Sequence, residues 1–278
     1  MATSSFRRAL SRAFRRENRR TTIRKGRLDS MQFESKVFGN TRPVTIYLPA
    51  GYDEHPEQQQ RYPVLYMHDG QNLFDPTRSF IPGQHWRLGE AADAMIGELK
   101  AQPMIIVGID NTGAARIDEY TPTHDAQRNA GGRADDYATM LLEELKPVID
   151  QTYRTLPDRA GTAVGGSSLG GLLSLHLVLT RPNAFSGAAV MSPSVWWDNR
   201  VILDELDRFT GRRPRIWLDT GGREGFDALK DVRILRDKLR SKGWTAEDLK
   251  YHEDRRADHS ERAWALRAPM MLEFLFPV

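Results

Sequence analysis

Short apolar runs, each too brief to make a helix, alternate along this chain with longer segments whose apolar residues recur at helical spacing, and few folds accept that pattern. Residues 63–67 (Pro-Val-Leu-Tyr-Met) and 104–109 (Met-Ile-Ile-Val-Gly-Ile) have the uninterrupted apolar character of strands buried on both faces of a sheet. Between them, 88–99 predicts a helix. Residues 134–153 place Tyr137, Leu141, Leu145 and Val148 at helical spacing and lead into a small-residue strand over 161–166. A helix is expected over 169–180, stopping before Pro182, followed by a strand at 188–191 and a helix at 201–209. Strands at 215–218 and 249–252 flank a helix at 226–239, and a last helix closes at Leu275. Ahead of this series, residues 28–48 alternate apolar and polar and finish on Val44, Ile46 and Leu48 before Pro49 and Gly51, the pattern of an antiparallel hairpin. Such alternation, joined by right-handed crossovers, gives an α/β protein: a mostly parallel central sheet with helices on both faces and an N-terminal antiparallel hairpin.

A chain of 278 residues fits one large domain of this kind, taken as 28–278. Residues 1–27 stand apart as a basic extension: nine Arg, Lys25 and a lone Glu17 give them +9 against +3 for the whole chain, so the other 251 residues carry −6. Phe6, Leu10 and Phe14 recur every four residues there, so the segment reads either as a solvated extension or as a helix making weak contact with an anionic surface. It lacks the apolar core of a secretory signal, and no run in the chain approaches the roughly 20 apolar residues of a membrane span. The absence of cysteine excludes disulfides, thiol nucleophiles and thiolate metal sites and favours the cytoplasm. No metal-ligand cluster or dinucleotide fingerprint is present, so no cofactor is expected, and no nucleic-acid partner. Oligomeric state is not legible.

Gly166, Ser168 and Gly170 form a G-x-S-x-G between the strand at 161–166 and an amphipathic helix, which is the strand–turn–helix setting of a nucleophile elbow in an α/β-hydrolase fold. A serine at the tip of a tight turn needs small residues two positions to either side. Its following helix points unpaired N–H groups at a developing oxyanion, which nominates the backbone N–H of Leu169. Ser167 is the other hydroxyl in reach but lies one position off the glycine frame.

A serine nucleophile needs a base. His259 follows the last strand in a polar loop and precedes the closing helix, which suits the fold's usual order of nucleophile, acid and histidine, with His252 in the strand as its rival. The acid is expected on the loop after 215–218, where Glu224 leads, Asp227 is second and Asp219 third. Trp196, Trp197 and Trp86 could stack on an aromatic or sugar group, and Arg116 with Glu119 could hold polar ones; rim packing and surface pairing explain them equally well.

From about Ile23 onward the chain resembles the esterase D, enterochelin esterase and feruloyl esterase group of α/β hydrolases, which overlaps the family 1 carbohydrate esterases. The resemblance rests on His68-Asp69-Gly70-Gln71-Asn72-Leu73-Phe74-Asp75, Tyr120-Thr121-Pro122, the helix Leu142 to Pro147, the elbow, Ser192-Pro193-Ser194 with Trp196 and Trp197, and His259 with Glu261 and Trp264. It implies a second oxyanion donor at the N–H of Gln71 and a loop-shaping role for His68. It also implies a small-molecule ester substrate. Relatives vary in the acid loop, so a Ser–His pair without Glu224 is a further option. Ester hydrolysis is the leading function, ahead of acyl transfer to an alcohol or sugar and of a catalytically silent binding protein.

Overall fold

The alternation over 28–48 folds as a hairpin: β1 (Arg27–Ser35) pairs antiparallel with β2 (Asn40–Leu48), Arg27 opposite Leu48 and Ser35 opposite Asn40. This computed structural model describes residues 24–54 and 60–278. The basic extension, apart from Arg24 to Arg27, therefore lies outside the described residues, as does His55. The two apolar runs are β3 (Val64–His68) and β4 (Ile105–Ile109). A small ribbon of β5 (His124–Asp125) and β6 (Ala130–Gly131) stands apart. The main sheet is completed by β7 (Thr162–Ser167), β8 (Gly187–Met191), β9 (Arg215–Gly221) and β10 (Leu249–Asp254). Its order is β1-β2-β4-β3-β7-β8-β9-β10, with β2 antiparallel to β4 and every later pair parallel. This is the α/β-hydrolase fold.

The helices are α1 (Leu88–Gly97), α2 (Arg116–Glu119), α3 (Ala134–Thr139), α4 (Lys146–Thr152), α5 (Leu169–Thr180), α6 (Val201–Arg208), α7 (Phe226–Ser241) and α8 (Glu261–Leu275). Successive strand residues point to opposite faces of the sheet. Val64, Tyr66, Val107, Val164 and Val190 join the core shared with α3 to α7. Their neighbours Leu65, Met67, Ile106, Ala163 and Met191 join the core under α1 and α8. A π-helical stretch, Met140–Leu145, links α3 to α4. From it Glu144 accepts hydrogen bonds from Ser35 Oγ at 2.9 Å and from the N–H groups of Lys36 and Val37, pinning the hairpin turn to the helix layer. No helix among the described residues is long and apolar enough to cross a membrane.

One helix departs from expectation. The sequence reads 169–180 as amphipathic, yet Leu169 through Leu179 are all buried, because α5 is packed between the strands β7 and β8 and the helices α3 and α6. Its polar residue His176 is consequently only 3% exposed and places Nδ1 2.8 Å from Glu205 of α6. Burial alone would depress this imidazole, but the carboxylates of Asp135, 3.7 Å from Nε2, and Glu205, bonded to Nδ1, override it and lift its pKa to about 9. A folded pKa above the unfolded value of about 6.5 stabilises the protein fully below that pH, and the stabilisation drains away as pH climbs toward 9. The expected loss is on the order of 3 kcal/mol. Urea unfolding of the parent across that range should show the decline, and His176→Gln should lack it; equal slopes in the two proteins would refute the assignment.

Candidate active site

The strands β3, β7, β8, β9 and β10 end at one edge of the sheet, and the candidate residues lie on the loops that follow them, where open α/β sheets collect ligands. β7 ends at Ser167 and α5 begins at Leu169, so Ser168 makes the whole turn, at φ 59° and ψ −123°. That conformation is strained for a residue with a side chain, and it is held from both sides. Ser168 N–H donates to Met191 O at 3.0 Å, and Ser194 N–H donates to Ser168 O at 3.0 Å. The glycine frame has the physical cause expected of it: a Cβ on Gly166 would sit 2.9 Å from the backbone carbon of Gly170. Leu169, first in its helix, has an N–H without an intrahelical acceptor.

Ser168 lines a cavity of about 370 Å³ together with Ser167, His259, Gln71, Asn72 and Trp264. Its Oγ lies 3.4 Å from Ser194 Oγ. His259 follows β10 and sits edge-on to the Trp264 ring, centroids 5.0 Å apart. Its Nδ1 is 2.9 Å from Glu224 Oε2. An imidazole engaged by a carboxylate at Nδ1 keeps Nε2 as a proton acceptor.

Glu224 reaches His259 because β9 runs to Gly221, beyond the expected end at Leu218, and a tight turn follows. A Cβ on Gly221 would lie 2.5 Å from Ala257 O and 2.8 Å from Glu224 Oε1, so the turn closes only around glycine. The Glu224 side chain is 2% exposed. The other two acids point elsewhere. Asp227 is exposed in the first turn of α7. Asp219 is fully buried, 3.1 Å from the Arg267 guanidinium, and accepts from Trp217 Nε1 at 2.8 Å. His252 stacks on Trp217 and lines a different cavity.

The turn Gly70–Asn72 brings Gln71 to the wall of the cavity that Ser168 also lines. It starts from Asp69, whose φ of 58° is again left-handed. Arg116 fixes that residue with two 2.7 Å hydrogen bonds to its carboxylate, and Asn111 Nδ2 adds a third at 2.7 Å. The Asp69 N–H donates to Tyr120 OH at 3.1 Å. His68 lies buried beneath, 3.1 Å from Tyr137 OH; burial drives its pKa down to about 3 and keeps it neutral. It packs between Tyr120 and Tyr137, a place suited to shaping the loop.

The substrate contacts expected from sequence need correction. Trp197 is fully buried and donates Nε1 to Thr123 O at 3.1 Å, so its ring cannot meet a ligand. Trp196 is exposed but outside the Ser168 cavity, under the Arg128 guanidinium. Trp86 is buried against Trp264. Arg116 does line the cavity, yet its guanidinium is committed to Asp69, while Glu119 turns inward to Arg42 at 2.9 Å. The apolar wall is instead Trp264 with Phe80 and Ile81, the last two exposed. Sequence reading passed over Phe80-Ile81, an apolar pair inside a polar loop that could have been noticed on that ground. Ser192, buried behind Glu224, belongs to the Ser-Pro-Ser motif quoted above but had no role attached to it, and Arg267 beside it carried no local signal.

Known proteins resemble this chain over most of its length. The chain is 25% identical over 252 residues, 86% of its length and 93% of the other's, to the uncharacterized protein YbbA of Bacillus subtilis. It is 28% identical over 234 residues to the endo-1,4-beta-xylanase/feruloyl esterase of Xylanibacter ruminicola, spanning 83% of this chain but only 29% of that protein. Among solved structures, the BES protein from Bacillus cereus superposes with a TM-score of 0.73 at 23% identity, covering 90% of this chain and 95% of that one. The family model described as "Putative esterase" matches residues 35–275, and the chain belongs to that family.

Proposed function

We infer that this protein is a serine esterase that hydrolyses a small-molecule carboxylic ester through an acyl-enzyme on Ser168. Membership of an esterase family supports ester hydrolysis in general. The observation that supports the finer reading is a single cavity lined both by a serine on a strained turn and by a histidine whose Nδ1 is bound by a buried carboxylate. In this mechanism His259 Nε2 takes the Ser168 proton as Oγ attacks the ester carbonyl. The oxyanion rests on the N–H groups of Leu169 and Gln71. The alcohol leaves with the proton from His259, and water, activated by the same base, releases the acid. Glu224 holds the imidazole and balances its transient charge.

A fluorophosphonate probe should label the active protein at one site, and peptide mass spectrometry should place the label on Ser168. A turning-over enzyme that stays unlabelled, or is labelled elsewhere, would remove the assignment. Aryl, sugar and siderophore esters form the substrate screen, and product analysis with an alcohol acceptor separates hydrolysis from acyl transfer.

A further inference from the structure

The geometry points to Ser192 as the positioning residue that fixes the orientation of Glu224, and through it of His259. This rests on the esterase reading above. Ser192 follows β8 and is 3% exposed. A serine hydroxyl has two lone pairs and one proton to place. Here Trp264 Nε1 donates to its Oγ at 3.0 Å and Arg267 Nη2 donates at 3.1 Å, so both lone pairs are taken. The single proton is left to point at Glu224 Oε1, 2.5 Å away. Neither donor can rotate out of the arrangement: the Trp264 ring is wedged against Trp86 and His259, and the Arg267 guanidinium also donates to Asp219 at 3.1 Å.

The consequence falls on the carboxylate. Glu224 Oε1 accepts from Ser192 Oγ and from the Gly221 N–H at 2.6 Å, which leaves Oε2 to His259 Nδ1. Two rigid strand ends, β8 and β9, thus hold the acid, although Glu224 itself lies on a loop.

The backbone of Ser192 carries a second sign of this role. Its φ is 41°, a left-handed value that glycine would adopt with less strain. Its N–H donates to Asp219 O at 3.0 Å and to Asp219 Oδ1 at 3.2 Å, which holds that conformation. A side chain retained where glycine would sit more easily is accounted for by its hydroxyl.

The test uses Ser192→Gly and Ser192→Ala in the full-length protein. Glycine removes the hydroxyl and relaxes the backbone, whereas alanine removes the hydroxyl and keeps the strain. Both should lower kcat by about 10- to 100-fold with KM held within about twofold, by analogy with the loss of a hydrogen bond that orients a metal-bound side chain. In both, the low-field proton resonance of His259 Nδ1 should move upfield or broaden, a change that a packing role would not produce. Should Ser192→Ala fail to fold, Ser192→Gly carries the test. Parental kcat with an unmoved Nδ1 resonance would overturn the positioning role. That resonance is read without substrate, so it tests Ser192 even if Ser168→Ala retained turnover and the esterase reading fell.

Discussion

Ser168→Ala is expected to lower kcat on activated aryl esters by about five to six orders of magnitude, while the fold and its melting temperature stay close to the parent's. At 1.36 kcal/mol per decade this removes about 7–8 kcal/mol of transition-state stabilisation, more than any contact on the cavity wall could supply. The fold should survive because Ser168 Oγ makes one long contact, 3.4 Å to Ser194 Oγ, and the elbow is held by backbone hydrogen bonds that alanine keeps. His259→Ala should cost a similar amount. The double variant should be hardly worse than either single one, since a nucleophile without its base and a base without its nucleophile fail at the same step. What remains, about 10³–10⁴ over water, belongs to the N–H groups of Leu169 and Gln71 and to substrate binding. Stopped-flow or end-point assays of the three variants check this; a Ser168→Ala enzyme within tenfold of the parent would sink the nucleophile assignment.

How much of this was open to sequence reading follows from how local each signal is. The strands β3, β4 and β8 are runs of apolar side chains buried on both faces, so their residues alone announce them. The elbow was legible for the same reason, since Gly166, Ser168 and Gly170 meet one another within a single turn. β9 runs past its expected end at Leu218 through Asp219 and Thr220, which are polar yet fully buried. The cause is distant: Arg267, from the last helix, comes within 3.1 Å of Asp219, and no periodicity around 219 records that. Distance along the chain also explains the tryptophans. Trp197 stands close to Ser194 in sequence but anchors to Thr123, whereas Trp264 reaches the cavity by lying against His259. Glu224 could be ranked first by its place after the Gly-Gly turn, while the separation of its two oxygens between Ser192 and His259 exists only in three dimensions.

Glu224→Gln tests that separation most severely, and it is expected to lower kcat by about 10⁴. The amide is nearly isosteric and can keep its oxygen on Ser192 Oγ and the Gly221 N–H, which already occupy that side of the pocket. Its NH₂ group then faces His259 Nδ1, replacing an acceptor with a donor. The imidazole answers by moving its proton to Nε2, and a ring protonated there presents a donor to Ser168 and cannot take its proton. The loss is therefore one of tautomer more than of position, and KM should change little. Asp227→Asn is the matched control: that carboxylate is exposed in the first turn of α7, outside the cavity, and kcat should stay within about twofold of the parent. A fall of less than tenfold in Glu224→Gln would mean that the serine and histidine act as a pair without an acid. The buried Ser192–Glu224 contact would then serve only to hold the ends of β8 and β9 together.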